Sequence, residues 1–165
     1  MEDAFAHHVW ATLRLVDTCL ALSPQQLETT VPGTYGSILD TLRHCIGSDA
    51  WDLFVATGHR ASLIGEDDMH LSELRAAMES HGPAWSRLLA QDLDPDAVLN
   101  EVDEDDGYER NITMGIQLAG ALQHGTDHRS QVCTILTALG VESPAIDVLA
   151  FGTQEGGVVE ITPAS

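Results

Sequence analysis

Apolar residues recur along this chain at intervals of three and four, the period that gathers them on one side of a helix. Between residues 3 and 22 they fall at Phe5, Val9, Leu13, Val16, Cys19 and Leu20, and Ser23-Pro24 ends the pattern. A second helix is expected from a Ser37 cap to Thr57-Gly58. It is apolar on two sides. A broad stripe carries Ile38, Leu39, Leu42, Cys45, Ile46, Ala50 and Leu53, and a narrower one carries Thr41, His44, Ser48, Trp51 and Val55. Such a helix is buried on two faces, either inside a bundle or where it also makes a dimer contact.

A third helix is expected from Leu71-Ser72, with Ser72 and Arg75 in the cap context, to about Gln91. Leu74, Met78, Trp85, Leu88 and Leu89 mark its inner face, and His81-Gly82-Pro83 is expected to kink it. The period then changes. Val98 to Asp103 and Tyr108 to Thr113 flank Glu104-Asp105-Asp106-Gly107, and an Asp-Gly turn between two short segments predicts a hairpin. Asp103 to Asp106 lack the alternation of a calcium loop and read as a solvated turn. The fourth helix is expected from about Met114 to Leu139, with Gly140 as its stop. Residues 145–151 read as a short last helix and Gly152 to Ser165 as a tail loose at its end. The fold class is therefore all-α: four long helices with a small hairpin before the last, in one domain over residues 1–165.

Charge changes the picture of the surface. Against 26 acids stand seven basic residues, all arginine, for a net charge of −19. That surface repels phosphate backbones and anionic lipid alike, which argues against nucleic acid and membrane as partners. It reads as a highly soluble, salt-adapted exterior. The three cysteines are far apart and odd in number, so reduced buried thiols are expected rather than a disulfide framework. The acidic start, Met1-Glu2-Asp3, lacks the positive charge of a secretory signal, and a cytoplasmic location is expected.

The chemistry concentrates on the fourth helix. Its inward stripe is Gln117, Ala121, His124, His128, Gln131, Val132, Ile135 and Leu139, with two imidazoles in the middle. Histidines four apart on one face have Cβ atoms about 5–6 Å apart. Rotamers can then bring two ring nitrogens to the roughly 3.3 Å that two ligands of a tetrahedral zinc ion require. The pair alone leaves open a metal site or two hydrogen-bonded core histidines, since no glutamate lies between them. His44 could supply a third ligand, and three histidines leave a fourth position for water. Asp127 and Gln131 could orient an imidazole or that water. His7 and His8 point about 100° apart, so at most one faces any site, as a fourth ligand or a pocket residue, and a solvated histidine is the plainer reading. His59 and His70 read as exposed loop histidines, and Cys45 as core rather than nucleophile.

Residues 34–51, Thr-Tyr-Gly-Ser-Ile-Leu-Asp-Thr-Leu-Arg-His-Cys-Ile-Gly-Ser-Asp-Ala-Trp, resemble the second-helix signature of the DinB/YfiT-like superfamily. His124-Gly125-Thr126-Asp127-His128-Arg129-Ser130-Gln131 resembles its H-x-x-x-H-R-x-Q signature, and His8-Val9-Trp10 its early His-x-Trp. The resemblance implies an up-down-down-up four-helix bundle, often a homodimer, with a divalent metal (zinc or nickel) on His44, His124 and His128. It makes His8 and Trp51 candidates for a cofactor pocket and Asp127 and Gln131 candidates for catalytic support. Relatives include thiol transferases and isomerases that use low-molecular-weight thiols such as mycothiol, bacillithiol or glutathione on small-molecule substrates. A non-catalytic, ligand-binding dimeric bundle and a purely structural histidine cluster are the competing expectations.

Overall fold

The structure, a computed structural model, describes residues 1–102, 107–159 and 161. Four long helices carry it: α1 (Glu2–Cys19), α3 (Ile38–Thr57), α4 (Leu71–Leu89) and α5 (Met114–Ala138). Two short ones, α2 (Pro24–Leu27) and α6 (Val148–Gln154), two 3₁₀ turns (Arg60–Ser62 and Glu66–Asp68) and a hairpin of β1 (Val98–Val102) with β2 (Glu109–Thr113) complete the described elements. None of the described helices is long and apolar enough to cross a membrane.

Local chemistry sets the ends. Ser37 caps α3 by accepting from the Asp40 N–H at 3.1 Å, and Gly58 closes it in the left-handed region at φ 70°. Ser23 and Gln26 form a capping box that turns part of the expected connection into α2. For α4 the start differs from expectation: Glu73 reaches back to the His70 N–H at 2.8 Å, so the cap pair is His70 and Glu73 rather than Ser72 and Arg75. The helix is continuous through Pro83. The last helix starts at Val148, later than expected, because Asp147 accepts from the N–H groups of Leu149 and Ala150 and so fixes the first turn there. In the antiparallel hairpin Asn100 faces Asn111 and Val98 faces Thr113. Its turn acids, Asp103 to Asp106, lie outside the described residues.

Helix α3 packs against both α4 and α5, and α1 packs against the same two from the other side. The double apolar face of α3 is thus covered within the chain. Phe5, Leu42, Ile46, Leu53, Met78, Trp85 and Ile135 form the centre of the core, with Phe5 and Trp85 rings 4.3 Å apart. Cross-helix side-chain pairs record the directions: Asp17 with Arg75, His8 with Arg129, and Asp52 with Gln117.

Candidate metal centre

His124 and His128 lie one turn apart on α5, and His44 meets them from α3. The Nε2 atom of His124 is 3.1 Å from that of His44 and 3.0 Å from that of His128. One ring nitrogen from each residue falls within 4.8 Å of the others. These separations are close to the roughly 3.3 Å of paired ligands on a tetrahedral ion. Burial lowers the pKa of all three histidines, and their mutual proximity adds to it for His44 and His124, which is pushed down to about 4. Neutral rings with lone pairs turned to one point are the state a cation needs. Asp127 works against this shift at His124 and His128, so its charge makes both rings better donors toward a cation.

Neighbouring side chains seat the triad. Nδ1 of His128 is buried and has no hydrogen-bond partner among the described residues, although Gln131 lies beside it. The Gln131 Oε1 instead accepts from the Tyr35 N–H at 2.7 Å. That bond holds the loop before α3 over the site. The Tyr35 ring stacks on His44 with centroids 4.1 Å apart and meets His128 edge-on at 5.4 Å, while 57% of the residue stays exposed. Tyr35 is a site residue that sequence reasoning passed over, though it lies inside the second-helix signature. Asp127 itself is exposed and accepts from Gln123 Nε2 at 2.9 Å.

His8 is not solvated. It is 1% exposed, with Nε2 2.8 Å from Asp49 Oδ1 and Nδ1 3.0 Å from Arg129 Nη1. A guanidinium only donates, so Nδ1 must carry the lone pair and Nε2–H must donate to Asp49. His8 thus bridges a buried acid to a buried base. Asp49 also accepts from His81 Nδ1 at 2.6 Å and from Trp85 Nε1 at 3.1 Å. Burial alone would raise the Asp49 carboxyl, but the bonds from His8 and His81 overcome it and hold the group below the usual carboxylate range. Arg129 donates in addition to Thr12 Oγ1 and Thr126 Oγ1. This network joins all four long helices. Gly125 permits it, because a Cβ there would lie 2.3 Å from His8 Cε1.

Trp51, the other cofactor-pocket candidate, donates from Nε1 to Glu101 Oε1 at 2.8 Å, and Arg110 bonds the second oxygen of Glu101. The hairpin is thus tied to α3. One helical position on, Asp52 accepts from Gln117 Nε2 at 2.7 Å. Burial, with the Asp49 charge next, raises its pKa to about 7. A carboxyl raised in the fold binds protons that the unfolded chain has lost, so this contribution to stability is present below the ordinary value of 3.8 and fades as pH rises to about 7. Asp52→Asn, which keeps the acceptor for Gln117, is expected to stabilise the protein at pH 8 by on the order of 2–4 kcal/mol and to change little near pH 3. Urea unfolding at the two pH values checks it; an equal increment at both would contradict it.

The thiols of Cys19 and Cys45 are buried and raised to about 12, which makes them core groups rather than nucleophiles. A separate cavity of about 1080 Å³ lies between α1, α5 and the α6 segment, lined by His8, Leu122, Arg129 and Phe151 among others.

A helical fold with three convergent imidazoles at one point defines a candidate histidine metal site. The DinB family model matches residues 1–160, and the chain belongs to the DinB family. No curated protein matches it.

Proposed function

We propose that this chain is a metal-dependent enzyme in which His44, His124 and His128 hold one divalent ion, zinc or nickel, next to a position open to water or a low-molecular-weight thiol. The observation that carries the reading is the convergence of three Nε2 atoms from neutral, partly buried rings, two of them 3.1 and 3.0 Å from the third. Bound there, such an ion lowers the pKa of a thiol or water and so supplies a nucleophile at neutral pH. The residues around it have supporting parts. Asp127 raises the basicity of His124 and His128, and Gln131 holds Tyr35 against His44 and His128. His8 fixes α1 to α5 and lines the cavity of about 1080 Å³, where the organic part of a thiol cofactor has room. Trp51 fixes the hairpin that borders α3.

The topology that goes with this reading is an up-down-down-up four-helix bundle over residues 1–165. Pairing of residue 17 with 75 runs α1 against α4, and pairing of 44 with 124 and 52 with 117 runs α3 against α5. A cytoplasmic homodimer acting on a small molecule completes it. The outer face of α5 supports the dimer, since that helix carries only one, Asp127, of the chain's 26 acids.

Turnover separates this from a binding bundle, the reading favoured by a large apolar cavity away from the triad. Metal-loaded protein is expected to transfer glutathione or a similar thiol to chlorodinitrobenzene, and to lose that activity with chelator and in His44→Ala. A fully metallated protein that turns over no thiol substrate would leave ligand binding as the function.

A further inference from the structure

A polar cleft of about 500 Å³ opens beside the triad, lined by Tyr35, His44, Arg43, Glu66 and Asp67 among others. Its charged walls are fixed by one short piece of chain. The Arg43 Nε–H donates to the Met69 carbonyl at 3.0 Å. The Met69 N–H in turn donates to the Glu66 carbonyl at 3.0 Å, closing the 3₁₀ turn Glu66–Asp68. Glu66 is seated by a second device. It crosses α3 at Gly47, one turn after His44, where a Cβ would come within 2.3 Å of its carboxyl carbon. Asp40, which also borders the cleft, is committed elsewhere: it accepts from the Ser37 hydroxyl at 2.7 Å as part of the α3 cap.

Arg43 makes no ion pair with Glu66 or Asp67 among the described residues, although all three face the same space. Opposite charges held around a cleft without closing on each other leave two poles for a ligand. A ligand with one charge satisfies one pole and is repelled by the other, whereas a ligand with both satisfies both. We propose that this cleft binds a small zwitterion, with its carboxylate at Arg43 and its ammonium at Glu66 and Asp67, and so places it at the His44 edge of the triad. The last step rests on the metal-centre reading; the charge selectivity of the cleft does not.

The test is saturation-transfer NMR and calorimetry on the full chain, with and without zinc. The zwitterions glycine, 4-aminobutyrate and 6-aminohexanoate, which vary the charge spacing, are compared with butylamine and butyrate. At least one zwitterion is expected to bind roughly tenfold tighter than either singly charged relative, the worth of one added charge-assisted contact. Arg43→Gln is expected to erase the advantage over butylamine, and Glu66→Gln the advantage over butyrate. Arg43→Lys, which keeps the charge, retains the preference. Gly47→Ala, which displaces Glu66 without removing its charge, weakens binding as Glu66→Gln does. Zwitterions that bind no better than butylamine and butyrate in both forms would overturn the proposal. Selective binding by a protein that takes up no zinc would uphold the cleft and overturn the metal centre; zinc uptake without selectivity would do the reverse.

Discussion

Asp49→Ala is expected to lower stability by about 3–5 kcal/mol. The carboxylate is 3% exposed and accepts from His8, His81 and Trp85 at once. Its removal strands three donors and leaves Arg129, itself 4% exposed, without the anion that His8 relays to it. Asp49→Asn keeps one acceptor oxygen and is expected to cost less. Chemical denaturation at neutral pH measures both, and a loss under about 1 kcal/mol in Asp49→Ala would show that the network is not what joins the helices. The sign with pH follows from the depressed carboxyl. Its stabilisation is present above the ordinary value of 3.8 and is lost as pH falls below it toward the folded-state value.

His124→Ala is expected to abolish metal binding. His124 is the middle nitrogen of the triad, within 3.1 Å of both partners, so its loss leaves two ligands on separate helices. In the wild type, metal at about a thousand times its dissociation constant should add roughly 4 kcal/mol of stability; in the variant this increment should vanish. Thermal unfolding with and without zinc or nickel reads it directly. Retention of the full increment in His124→Ala would move the site elsewhere. Because the imidazoles sit close together and burial favours their neutral forms, the variant without metal is expected to fold normally.

The pattern of apolar residues sufficed for the four long helices and the hairpin, because caps such as Ser37 and stops such as Gly58 and Gly140 are local devices that a sequence displays. It misplaced α6, where a single Asx cap at Asp147 outweighed the preceding proline as a start signal. The triad was legible in part: spacing placed His124 and His128 on one face, and only packing could show which stripe of α3 brings His44 to them. The buried network was not read. His81 shares the spacing of Leu74, Met78, Trp85 and Leu88, yet the Gly82-Pro83 step beside it suggested a break and drew attention from its place on the inner face. Arg129 falls one position off the stripe drawn for α5 and is nonetheless buried, because Asp49 and His8 on other helices complete it. Long-range partners of this kind leave no periodic trace. Tyr35 was missed for a related reason, since a loop aromatic shows its role only when the loop is seen folded over His44.

X-ray absorption at the metal edge of protein loaded with zinc or nickel tests the metal centre most directly. The expected spectrum shows three imidazole nitrogens at about 2.0–2.1 Å, with the multiple-scattering signature of histidine, reduced in His44→Ala and His128→Ala and lost in His124→Ala. A first shell of oxygen alone, or a histidine signature unchanged by all three substitutions, would contradict it.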